Sequence, residues 1–167
     1  KAKLDWQVIR EDGSSFLYED FPSAIAIRTG KEQLAVTMGM KNKDGKVYWI
    51  VVNAIPLFRN EETEPYSVLV SYNDITEKKK ILAQQFADMG YVNYNLKNFA
   101  GALSAYEGVV AIMPNDTSSY FNAALCAERA GNVAKAKQFY TKLDEMQYKD
   151  AKMYHSYAQL YLTEGDT

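Results

Sequence analysis

The chain offers few side chains suited to catalysis. His155 is its only histidine and Cys126 its only cysteine. A histidine acting as a general base needs a carboxylate to orient it or a nucleophile within hydrogen-bond reach. The sequence sets no such group at a fixed spacing from His155, which favours a surface or partly packed imidazole. Cys126 stands in the apolar stretch Ala123-Ala124-Leu125-Cys126-Ala127, where a thiol behaves as a small hydrophobe. Carboxylates cluster at Glu11-Asp12, Glu19-Asp20 and Glu61-Glu62-Glu64, in polar stretches that hold no histidine, and are expected to be solvated. Lys78-Lys79-Lys80 reads as the exposed face of a helix. There is no glycine-rich phosphate loop and no Cys/His spacing for zinc. The expectation is a chain that is not an enzyme, with no catalytic residue, no metal and no cofactor.

Composition narrows the class further. The chain has 167 residues, 47% hydrophobic and 24% charged, which is the balance of a globular protein. A net charge of -2 gives no basic surplus for general nucleic-acid binding. One cysteine forbids an internal disulfide. No apolar run is long enough to span a bilayer, so neither membrane nor nucleic acid is expected as a partner and the expected location is cytoplasmic. The first residue is Lys1, which suggests a processed or cropped start. Tyrosine is over-used, with 13 Tyr against 7 Phe and 2 Trp.

The elements that would position these groups fall into two halves. In the first, Leu34 to Met40 and Val47 to Ala54 are rich in β-forming residues and flank Asp44-Gly45, a hairpin signal because glycine supplies the positive φ of the turn. Pro56 cannot donate to a ladder and marks a strand end or an edge. Tyr66 to Tyr72 reads as a third strand after the polar loop Arg59 to Pro65. Upstream, Ala24 to Arg28 reads as a short helix stopped by Gly30.

This half resembles the C-terminal part of a PAS sensor domain over about residues 6–80. The residues carrying the resemblance are Trp6 to Gly13, Arg28-Thr29-Gly30, Met38-Gly39-Met40, Asp44-Gly45, Trp49 to Ala54 with Pro56-Leu57-Phe58, and Asp74-Ile75-Thr76-Glu77-Lys78. The resemblance implies an antiparallel sheet, here reduced to three strands and one helix. A complete member has two further strands and several helices ahead of this region. The strand Tyr66–Tyr72 is therefore expected to have an open edge, which is a pairing template. The family's pocket lies between the sheet and those earlier helices. Met38, Met40, Ile50 and Val52 are the candidate ligand-facing residues, and residues 1–80 contain no histidine that could hold a haem.

The second half has helical period and repeats itself. Phe86, Gly90, Ala102, Tyr106 and Pro114 shift by 34 onto Tyr120, Ala124, Ala136, Tyr140 and Tyr148, and the first two shift again onto Tyr154 and Ala158. Candidate turns recur at Leu96 to Phe99, Ala130 to Val133 and Thr163 to Asp166. This resembles the tetratricopeptide (TPR) repeat, a helix–turn–helix unit. Repeats are expected at about 83–116 and 117–150, with the first helix of a third at 151–163. Small residues would let paired helices approach closely, and the last helix would keep an open apolar face. Asp74 with Glu77 three residues later reads as a capping-box start. No breaker stands between Glu77 and Met89, so one helix is expected to leave the sheet and become the first repeat helix, coupling the modules stiffly. The alternative is a break near Lys80-Ile81.

The resemblance places ten residues on the groove of the repeats: Tyr91, Tyr94, Phe121, Asn122, Leu125, Glu128, Arg129, Lys152, His155 and Gln159. Aromatic and polar groups together suit peptide capture. Some relatives clamp a terminal carboxylate. Asn122 and Lys152 match that pattern, whereas Ala87, Tyr91 and Ser156 stand at its other places. The reading is an α+β chain: a partial PAS-like antiparallel sheet over 1–76, then an all-α TPR array over 77–167. Its expected role is that of a signalling or scaffold segment binding protein or peptide partners through the groove, with the PAS part serving dimerisation or signal relay. A homodimer is expected through the open sheet edge or the uncapped last repeat. Two alternatives stand beside it: a small-molecule-sensing PAS domain acting through the helix after Thr76, and an artificial or cropped chain joining two unrelated modules.

Overall fold

The computed structural model of the chain describes residues 6–60 and 62–165. The chain divides into two units, Lys1–Lys79 and Lys80–Thr167. Among the described residues it is an α+β chain with one four-stranded antiparallel sheet and six α-helices.

In the first unit the order is β1 (Gln7–Ile9), a 3-10 turn (Tyr18–Asp20), α1 (Pro22–Thr29), β2 (Gln33–Lys41), β3 (Val47–Leu57) and β4 (Ser67–Asp74), and the sheet runs β1-β2-β3-β4. The sheet thus has four strands, not the three expected. The added strand, β1, is only three residues long and pairs Val8 with Met40. Such a strand is too short to show a period of its own; its pairing is long-range. Gly39 explains why it fits. A Cβ there would lie 2.8 Å from Ile9 Cγ1 and 2.9 Å from the Trp49 ring, so only glycine lets those two side chains close over β2.

The β2–β3 hairpin turns where Asp44-Gly45 indicated, with Gly45 at φ 81. Strand β3 runs through Pro56, which pairs with Val68. The β2 ladder ends at Gln33↔Ala54, so Pro56 is not asked for a donor on that side. Near that end Ala35 adopts φ 53 and its N–H donates to Asn53 Oδ1 at 2.8 Å. That hydrogen bond offsets part of the cost of a left-handed alanine, about 1–2 kcal/mol.

Alternation assigns the two faces. Val36, Met38 and Met40 share a face with Tyr48, Ile50, Val52, Ala54, Val70 and Tyr72. Helix α1 packs on β2, β3 and β4. Ala26, Met38, Val52 and Ala54 are all buried, whereas Ile55 on the other face is exposed, which puts α1 over the Met38–Val52 face. Burying each such larger side chain contributes roughly 1.5–3 kcal/mol.

Helix α2 (Thr76–Asn95) is unbroken, with no interruption at Lys80-Ile81. Asp74 and Thr76 both take part in its start. Asp74 Oδ1 accepts from Thr76 N–H at 2.8 Å, while Thr76 Oγ1 accepts from Trp49 N–H at 2.9 Å. The threonine hydroxyl is spent on the sheet because the helix begins directly beside β3. One turn later, Lys79 is not the solvated lysine expected. Its ammonium lies 5.0 Å from the centre of the Trp49 ring and 2.6 Å from Glu11. Nor are all the loop carboxylates solely solvated: Asp20 takes a 2.7 Å bond from Arg10 that holds its carboxyl below the usual range.

The second unit continues with α3 (Phe99–Ile112), α4 (Thr117–Arg129), α5 (Val133–Glu145) and α6 (Ala151–Gly165). Its backbone repeats at 34 residues. The side chains of Asn98 and Asn132 cap α3 and α5 by accepting from Gly101 and Lys135 N–H. Asn98 N–H donates to Asn93 C=O and Asn132 N–H to Ala127 C=O. Lys97 (φ 60) and Gly131 (φ 73) both take the left-handed turn position. The turn expected at Thr163 to Asp166 is not open by Gly165, where α6 still runs; Asp166 lies outside the described residues.

The core joins the aromatic and small positions. A Cβ on Gly90 would meet the Tyr106 ring at 2.8 Å and one on Gly108 the Phe86 ring at 2.9 Å, so α2 and α3 interlock reciprocally. Ala124, Ala136, Tyr140 and Leu143 are fully buried at the corresponding places of α4 and α5. Ala158, expected to serve the same close approach, is exposed, because no helix after α6 stands among the described residues. With Leu162 also exposed, α6 keeps an open face. No helix among the described residues is long and apolar enough to cross a membrane.

Candidate functional site

The ten residues read as a groove sit on three helices of the second unit. Tyr91 and Tyr94 are on α2; Phe121, Asn122, Leu125, Glu128 and Arg129 on α4; Lys152, His155 and Gln159 on α6. Because the backbone repeats, residues 34 apart occupy one repeat position. Tyr91, Leu125 and Gln159 share a position, as do Tyr94 and Glu128, and Phe121 and His155.

Their exposure separates them into two groups. Tyr91 is 65% exposed, and Arg129, Lys152, His155 and Gln159 are also exposed. Tyr94, Phe121, Asn122, Leu125 and Glu128 are half-buried. Two of these aromatics are less available than the sequence suggested. Tyr94 meets Phe99 edge-on at 5.5 Å between ring centres, and Phe121 lies 6.3 Å from Tyr148. Both rings pack against the core, so part of each is already occupied.

Tyr140, which the sequence marked only as a recurring repeat position, also belongs here. The Tyr140 ring is fully buried, yet its hydroxyl donates to Glu128 Oε2 at 3.2 Å. Burial pushes the phenol well above its usual range, so it stays a donor at any neutral pH. A tyrosine where phenylalanine would fill the same space is the signal that could have found it, since a buried hydroxyl must reach a partner. Glu128 is thereby fixed in place by α5. Beneath α2, Tyr106 is similarly shifted up by burial. Cys126 is buried and its thiol is pushed up to about 11, which removes it as a nucleophile.

The remaining candidates, Met38, Met40, Ile50 and Val52, do lie together. Met38 is opposite Ile50 and all four share one face of the sheet. Met38 and Val52 are already buried, and Met40 and Ile50 half-buried. Among the described residues, no group of three or more His, Cys, Asp or Glu could hold a metal ion. No family model matches the chain, and no curated protein matches it significantly.

Proposed function

We propose that the helical unit binds an extended segment of a partner protein along α2, α4 and α6, as a signalling or scaffold element of TPR type. The observation carrying this reading is the run of side chains at 34-residue spacing. Tyr91 is exposed on α2, Leu125 half-buried on α4, Arg129 exposed on α4, and Lys152 and His155 exposed on α6. An exposed tyrosine on a rigid helix contributes contact area at little entropic cost, and arginine adds hydrogen bonds with fixed geometry. Tyr140 supports the same reading, because its hydrogen bond to Glu128 orients an acceptor on that run. The PAS-like unit would serve dimerisation or relay. Equilibrium titration against an unbiased peptide library tests the proposal. Hits that Tyr91→Ala and Arg129→Ala each weaken at least fivefold are expected; a library without hits removes the reading.

One observation keeps a second reading in view. Ile50 and Met40 share a face with exposed Val70 and Tyr72, so an apolar small molecule would find a surface beside α1. Native mass spectrometry of the gently purified protein tests it, and a chain free of added mass counts against it.

A further inference from the structure

Strand β4 ends the sheet, so one edge of it faces no strand among the described residues. Which of its backbone groups face that edge follows from two hydrogen bonds. Ile75 N–H donates to Trp49 C=O, and Asn42 N–H to Lys46 C=O, both at 2.9 Å. In an antiparallel ladder successive residues bond alternately to the two sides. The even-numbered residues of β3 therefore bond to β2 and its odd-numbered residues to β4. Pairing of β3 with β4 runs unshifted from Ile50↔Asp74 to Leu57↔Ser67. The N–H and C=O groups of Val68, Val70 and Tyr72 are thus left aimed at the open edge.

The side chains of β4 are just as uncovered. Leu69 on one face is 57% exposed, and Val70 and Tyr72 on the other are 43% and 76% exposed. Natural edges avoid association with lysine, proline or a bulge. Residues 67–73 contain no charge, no proline and no glycine. The occupant that satisfies such an edge is an extended strand, and the sequence of β4 matches itself. Antiparallel pairing centred on Val70 puts valine against valine and Val68 against Tyr72, a favourable β-branched and aromatic pair. Leu69 meets Ser71. Asp74, the only charge of the strand, meets Tyr66, so no carboxylate faces its own copy. Centring on Ser71 instead would set Val68 against Asp74 and Leu69 against Asn73.

We propose that β4 pairs with β4 of a second copy of this chain, antiparallel about a twofold axis at Val70, extending one sheet through both copies. The interface is isologous. It joins the groups left over by the β3 ladder: Val70 with Val70 of the second copy, and Val68 with Tyr72 in both senses. One strand from each side is smaller than a standard interface of about 1,600 Å², so the association depends on concentration.

Sedimentation velocity of the whole chain from micromolar to millimolar concentration tests this. The expected result is a mass that rises to two copies. Val70→Lys sets two ammonium groups face to face and should hold the chain as a monomer, with its circular dichroism and urea midpoint unchanged. Val70→Cys should cross-link under mild oxidation, because residues directly opposed in a hydrogen-bonded pair lie about 5.5 Å apart at Cα, within disulfide reach. Val68→Cys, opposed by Tyr72, should not, and buried Cys126 does not compete. A chain that stays monomeric at every concentration overturns the proposal. So does a dimer that Val70→Lys leaves intact but Leu162→Lys dissolves, since the contact would then be the open face of α6.

Discussion

Gly90 lies so close to Tyr106 that a Cβ added to it would stand 2.8 Å from Cε2 and Cζ of that ring. The contact is one half of the interlock between α2 and α3, and it shows why a small residue must recur opposite an aromatic in this unit. Gly90→Val should therefore destabilise the helical unit. Overpacking of this kind costs about 1–3 kcal/mol, and Tyr106 is itself buried. Urea unfolding followed by far-UV circular dichroism measures it; an unchanged midpoint contradicts the interlock.

The turn residues Lys97 and Gly131 provide a paired test of the 34-residue equivalence. Both hold a left-handed backbone, at φ 60 and φ 73. That conformation costs a side-chain-bearing residue about 1–2 kcal/mol, and glycine loses about 0.4–1 kcal/mol of the gain through the unfolded chain. Lys97→Gly should stabilise slightly, and Gly131→Lys should destabilise by about 1 kcal/mol. Melting temperatures that move in the same direction for both variants would show the positions are not equivalent.

Thr76 ties the first turn of α2 to β3. Its hydroxyl accepts from Trp49 N–H, and both residues are buried. Thr76→Val keeps the shape and strands that N–H, at a cost of about 1–3 kcal/mol. Thr76→Ser should restore most of the loss. Tryptophan fluorescence during urea unfolding reports on the site directly through Trp49. Equal stability of the valine and serine variants is the outcome that refutes the role.

Alkaline pH should loosen the helical unit before the rest of the chain. Burial raises the Cys126 thiol from 9.0 to about 11, and it raises the Tyr106 and Tyr140 phenols above 10.0. In each case the folded state holds the proton more tightly than the unfolded chain. The stability so contributed is whole below the unfolded value and is lost as pH rises through the folded one. For Cys126 the window is pH 9 to about 11, and the loss is roughly 3 kcal/mol. Unfolding midpoints taken across that window should fall, and Cys126→Ala should flatten the first part of the slope. A midpoint independent of pH up to 11 would falsify the burial account.

Much of this architecture was legible in the residues because it is periodic. The aromatic and small positions of Phe86, Gly90, Tyr106 and Tyr140 recur at one spacing, and that spacing also fixes the caps Asn98 and Asn132. Asp44-Gly45 located the hairpin for an equally local reason. What escaped was long-range. Strand β1 exists through its pairing with β2, and Lys79 leaves solvent because folding brings Trp49 and Glu11 to it. Within the candidate site, the resemblance to the repeat put Tyr91, Leu125 and Gln159 on the groove. It could not report that Tyr94 and Phe121 are half consumed by ring contacts with Phe99 and Tyr148, or that the Tyr140 hydroxyl reaches Glu128.

The proposed binding face is tested most directly by amide chemical-shift mapping of the whole chain with a library-selected peptide. The account predicts perturbations concentrated at Tyr91, Leu125, Arg129 and His155, with those shifts abolished by Tyr91→Ala. Perturbations confined to the outer residues of α3 and α5, or to the sheet, would contradict it.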